Sequence, residues 1–151
     1  MIINDREITI VKYSTVDNWI SDIPISNWLC LLVDNDYQRN YLDEVISKVI
    51  NNDVCYFCTV GHSCERTHVL IDEELVFREV DIEKLHLPEH QIKTSFHTDF
   101  DEGVRFTIFG ASHEAVSIDK IVILDMTNGN ELSRINKLLT EFKLTGQKNG
   151  R

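Results

Sequence analysis

Asp53–Glu74, DVCYFCTVGHSCERTHVLIDEE, reads as a buried strand, a glycine turn and the opening of a helix. Val54–Val60 is apolar or β-favouring at every position, the composition of a strand covered on both faces rather than one alternating with solvent. Gly61 ends it. Beyond the glycine, Ser63 stands where a helix N-cap is expected, and Glu65 falls where the helix dipole favours a negative charge. A strand feeding a helix in this way is the βα unit of an α/β domain.

The flanking sequence extends that pattern in both directions. Upstream, Trp28–Val33 (WLCLLV) is the most hydrophobic run, and its shortness and polar flanks predict a central parallel strand. Asp34-Asn35-Asp36 is predicted to cap the next helix, whose apolar stripe of Tyr41, Leu42, Val45, Ile46, Val49 and Ile50 ends near Asn51-Asn52. Arg6–Tyr13 (REITIVKY) predicts a first strand near an edge, and Thr15–Asn27 a turn with one helical turn at Val16–Ile20.

Downstream, Val69–Val80 is apolar with interspersed acids, which fits a helix running into an extended segment or a hairpin-like piece. Asp81–His90 is predicted as a loop, Gln91–Ser95 as a short strand, and a helix begins near Asp99, with Thr98 and Asp101 in a capping arrangement. Ser117–Met126 (SIDKIVILDM) predicts the last strand. Asn128–Phe142 predicts a closing helix, with Leu132, Ile135, Leu138, Leu139 and Phe142 on one face. Lys143–Arg151 is polar and is predicted to fray. The expectation is one three-layer α/β domain over residues 1–151, with a mainly parallel sheet of about four to five strands and helices on both faces.

Acids outnumber bases 25 to 15, a net charge of -10, so nucleic-acid phosphates are repelled over most of the surface and a basic partner is favoured. The opening residues lack a basic region followed by an apolar block, and Trp28–Val33 is too short to span a bilayer, so a cytoplasmic chain is expected. Four cysteines without a secretion signal read as reduced, buried side chains. No G-x-G-x-x-G and no G-x-x-x-x-G-K-[ST] is present, so nucleotide binding has no support.

Two constellations carry possible chemistry. Cys55, Cys58, Cys64 and His68 are four potential zinc ligands within fourteen residues. Cys55 and Cys58, three apart on a strand, are expected on opposite faces, which opposes both chelation and a redox pair and favours packed core. Cys64 and His68, at i and i+4, share a helix face and form at most a half-site or a Cys–His pair. The second constellation is His97-x-Asp99-x-Asp101-Glu102. Its acids fit a helix cap and first turn better than a metal or acid–base site. No metal and no cofactor is expected.

The run Val60-Gly61-x-x-Cys64, followed by Lys93-Thr94-Ser95-Phe96-His97-x-Asp99-x-Asp101-Glu102 and an aromatic helix with Phe106 and Phe109, resembles an uncharacterised family of small acidic bacterial α/β proteins. There a Trp-Gly-x-x-Cys turn and a Thr-Thr-Trp-His-x-Asp/Glu-Asp/Glu block recur. Val60 and Phe96 here replace the two tryptophans, keeping apolar bulk without the indole N–H. The resemblance covers Leu29–Leu139 and implies a fold but no activity. In size and acidity the chain is also similar to immunity proteins of polymorphic or contact-dependent toxin systems.

The function expected from charge and resemblance is therefore binding, not catalysis: an intracellular immunity protein that masks a cognate, basic toxin domain. Asp72, Glu73, Glu74, His97, Asp99, Asp101 and Glu102 are the expected partner-binding residues. The alternatives are a small enzyme or metal-binding domain using Cys64, His68, His97 and Asp99, and an accessory subunit of a larger assembly.

Overall fold

A computed structural model describes residues 1–34 and 39–149, excepting the side chains of residues 39–40 and 147–149. Six strands form one sheet: β1 (Ile2–Ile3), β2 (Arg6–Lys12), β3 (Trp28–Asp34), β4 (Tyr56–Gly61), β5 (Lys93–His97) and β6 (Lys120–Asp125). Their order across the sheet is β1-β2-β6-β3-β4-β5. Only β1 runs antiparallel, pairing Ile2 with Glu7 and Ile3 with Arg6. The five parallel strands match the upper end of the expectation, and the two-residue β1 is the addition.

Helices cover both faces. Helix α1 (Arg39–Asn51) and α2 (Cys64–Val80) lie on one side, where Leu42, Val45, Ile46, Val49, Ile50 and Ile71 join Trp28, Cys30, Leu32, Phe57, Val122 and Leu124. On the other side, α3 (Phe100–Arg105), a π-helical turn (Phe106–Gly110) and α4 (Leu132–Asn149) bring Phe100, Val104, Ile108, Ile135 and Leu139 against Leu29, Leu31, Val33, Ile121 and Ile123. The period of two along each strand divides these sets cleanly. β3 is buried along its whole length, as its sequence demands.

Four expectations shift. The helical turn before β3 is a 3-10 turn at Trp19–Asp22. β5 starts two residues later than predicted and runs to His97. Val69–Val80 is helix throughout, the continuation of α2. Helix α4 continues to Asn149, so residues 143–149 are helical where fraying was expected; a Cβ added at Gly146 would meet Ile3 and Phe109 at 3.9 Å. The predicted caps Asn35 and Asp36 lie outside the described residues, and no helix among those described is long and apolar enough to cross a membrane.

Candidate functional site

In an open parallel sheet, ligands and partners meet the crevice outside the carboxyl ends of the strands, where successive helices leave on opposite faces. Here that point lies between β3 and β6: the chain leaves β3 toward α1 and β4, and leaves β6 toward α4 on the other side. A crevice of about 1230 Å³ opens there, lined by Asp34, Gly61, Ser63 and Cys64, by Thr98 and Asp99, and by Thr127, Glu131 and Arg134 among others.

Both central strands end in a buried aspartate, and the two point to opposite faces. Asp34 follows Trp28, Cys30 and Leu32 in the alternation and accepts a short hydrogen bond from the Thr67 hydroxyl of α2. Asp125 follows Ile121 and Ile123; it accepts from the Thr127 N–H at 2.7 Å, the Thr127 hydroxyl at 2.5 Å and the Gly129 N–H at 2.9 Å. Thr127 Oγ1 in turn accepts from the Glu131 N–H at 3.2 Å, so this chain of bonds leads straight into α4. Each carboxylate thereby braces the helix on its own side of the sheet. Asp34 is 2% exposed, and its Oδ1 has no hydrogen-bond partner among the described residues. Gly61 is required beside it: with φ at +112°, a Cβ there would come within 2.3 Å of the Asp34 carbonyl oxygen.

The sheet separates the histidines of the second alternative. The His68 ring lies on the α2 side, with Nε2 3.1 Å from Thr94 Oγ1 and its ring centroid 5.2 Å from that of Phe96. The His97 ring lies on the opposite side, 3.1 Å from Ser95 Oγ and 4.8 Å between centroids from Phe106. Desolvation lowers the His97 pKa below the ordinary histidine value, which keeps the ring neutral. Cys64 Sγ reaches the His97 backbone carbonyl at 3.4 Å rather than either ring. Among the described residues, no three His, Cys, Asp or Glu side chains converge as a metal site.

The acids expected to bind a partner divide by the work they do in the fold. Of the two caps expected, Thr98 and Asp99, it is Asp99 that caps α3, accepting from the Glu102 N–H at 3.2 Å. Asp101 pairs with Arg134 at 2.9 Å. Asp72 accepts from Thr94 Oγ1 at 2.9 Å and lies 3.5 Å from His68. Glu74 holds Arg78 at 2.9 Å. Glu73 and Glu102 are exposed.

The strand-alternation argument against a Cys55–Cys58 pair does not hold, because β4 begins only at Tyr56 and both cysteines lie in the same core cluster. Burial makes them inert instead. Desolvation pushes the Cys58 thiol up to about 12 and Cys55 up to about 11, and raises Cys30 and Cys64 as well. A thiol reacts as the thiolate, so the folded protein is expected to give no fast reaction with an aromatic disulfide reagent at pH 8 and four equivalents after unfolding. One fast equivalent in the native protein, lost in Cys64→Ser, would show that Cys64 is open to the crevice.

Sequence reasoning missed the outward face of α2. Val69, Val76, Phe77 and Val80 are all exposed, at 58% for Val76 and 53% for Phe77. Val69, Asp72, Glu73, Val76 and Phe77 surround a shallow hollow of about 440 Å³. The signal was present in the spacing: 69, 76 and 80 recur on one helical side, while Ile71, Leu75 and Arg78 occupy the other. Arg78 is only 4% exposed, turned inward, which leaves acids and apolar groups outside.

No curated protein and no solved structure matches the chain. A family model does match, and it covers residues 8–142, from β2 to the last buried turn of α4, including the Gly61–Cys64 turn and the His97–Glu102 block. The protein thus belongs to the family described as Domain of unknown function (DUF7684).

Proposed function

We propose that the protein works by binding, as an immunity protein that neutralises a cognate basic toxin domain inside the cell. The observation that carries this reading is the acid excess together with its placement. The chain carries a net charge of -10, and several of its cations are already committed: Lys48 to Glu44, Lys93 to Glu114, Arg78 to Glu74 and Arg134 to Asp101. Glu73, Glu79 and Glu102 remain on the surface, so the field that an approaching protein meets is negative. Such a field raises the association rate with a basic partner and disfavours acidic ones. The separation of His68 from His97 by the sheet gives an acid–base enzyme no comparable support.

The test is co-expression with a candidate basic toxin domain, followed by association kinetics across a salt series. Exposed charges mainly set the on-rate, so Glu73→Lys with Glu79→Lys is expected to slow association severalfold at low salt and flatten its salt dependence, with a melting curve recorded beside the kinetics. Glu74 is left out of this variant because its carboxylate belongs to the Arg78 brace. Wild-type association at low salt would remove these acids from the interface. Turnover of a small molecule, with no protection against any basic toxin, would end the immunity reading.

A further inference from the structure

From the outer face of α2 we infer the form of the partner: this face is a docking strip for a basic amphipathic helix. The inference rests on the binding reading above and adds to it the surface used and the chemistry of the segment that covers it.

Scattered exposed apolar residues are ordinary, but a contiguous strip edged by charge on one element is not. Val69, Val76 and Val80 follow a spacing of seven and four along α2, with Phe77 beside them. At about 1.5 Å of rise per residue, that row repeats over roughly 10 and 16 Å, the interval at which the i, i+7 and i+11 side chains of a second helix present themselves. An extended segment, whose same-face side chains recur about every 7 Å, matches this row less well. The shallow hollow between Val69 and Phe77 has room for apolar side chains from a facing helix.

Charge selects the occupant. Asp72, Glu73 and Glu79 lie along the strip, and Arg78, the one cation in this half of the helix, is withdrawn into the core. Its Nη1 donates to Asn51 Oδ1 and the His86 carbonyl, each at 2.7 Å, and Nη2 donates to Ser47 Oγ at 2.8 Å. Two copies of the strip would set acid against acid, so a second copy of this chain is disfavoured and a lysine- or arginine-edged helix is favoured. Arg66 stands one turn before Val69, at the end where the strip runs into the crevice, so the partner's acids, if it has any, belong at that end.

The test uses the full chain and a synthetic helical peptide with leucine at heptad positions a and d and lysine at e and g, alongside a scrambled peptide of equal charge. Saturable binding of the helical peptide is expected, weakened by salt, at least roughly tenfold tighter than the scramble, and lost in Val76→Gln with Phe77→Gln. Glutamine is a good helix former and both sites are exposed, so this variant should melt as the wild type does. Equal binding of both peptides, or unchanged binding to the variant, overturns the inference, as does a concentration-dependent dimer abolished by the same substitutions. Failure of the two readings is separable: a cognate basic toxin that binds the glutamine variant normally ends the strip and leaves immunity standing, whereas absence of any basic toxin partner ends immunity whatever the peptide does.

Discussion

Leu31→Asp is expected to yield no folded protein. Leu31 is fully buried at the middle of β3, flanked in the sheet by Ile123 of β6 and Cys58 of β4. Its side chain belongs to the core cluster on the α3 and α4 side of the sheet, together with Val104 and Ile135. Removing a buried leucine side chain costs about 2–5 kcal/mol, and an uncompensated buried carboxylate adds several more. Together these approach the whole stability of an ordinary domain, roughly 5–15 kcal/mol. Expression followed by circular dichroism and thermal melting settles it, with Leu31→Val as the control that keeps an apolar strand residue at a cost of about 1 kcal/mol. A soluble, cooperatively melting Leu31→Asp protein would mean that β3 is not at the centre of the sheet.

Arg78→Ala is the second large effect, and its cause is a network rather than a cavity. The guanidinium ties α2 to the end of α1 through Ser47 and Asn51, and to the following loop through the His86 carbonyl, with Glu74 at 2.9 Å supplying the counter-charge. Removing the arginine leaves Glu74 half-buried without its cation and several polar groups without their donor. Breaking a buried pair from one side costs about 3–5 kcal/mol, which lowers the melting temperature of a chain this size by roughly 10 °C. Arg78→Lys is expected to rescue little, because a single ammonium cannot reproduce donation from Nε and both terminal nitrogens. Wild-type melting of the lysine variant would show that charge alone matters there.

What the sequence revealed follows from how each segment is solvated. β3, α1 and β4 were legible because one environment dominates each: all core for the strands, one buried stripe for the helix. The second half of α2 was ambiguous for the opposite reason. Its inner face carries Ile71 and Leu75 while its outer face carries Val69, Val76 and Phe77, so both sides hold apolar residues at helical spacing and no single stripe marks the buried face. The tail after Phe142 is polar in composition, yet its helix continues past the Phe142–Phe109 edge contact at 5.9 Å, a tertiary partner that local propensity cannot register. At the site, the cap at Asp99 followed from residue type, but the splitting of His68 from His97 depends on β5 running on to His97, two residues past its predicted end at Ser95, so that strand alternation fixes the side on which the ring lies.

The place of β6 governs when this fold can exist during synthesis. β6 inserts between β2 and β3, strands made about a hundred residues earlier. Until Lys120–Asp125 has left the ribosome, β2 has only the two-residue β1 beside it, and β3 presents an open edge that is apolar from Trp28 to Val33. A nascent chain stopped before Lys120 therefore exposes a strand edge suited to mispairing, and chaperone protection is needed most in that interval. Closing the sheet therefore waits for β6, which supplies the pairing between β1-β2 on one side and β3-β4-β5 on the other.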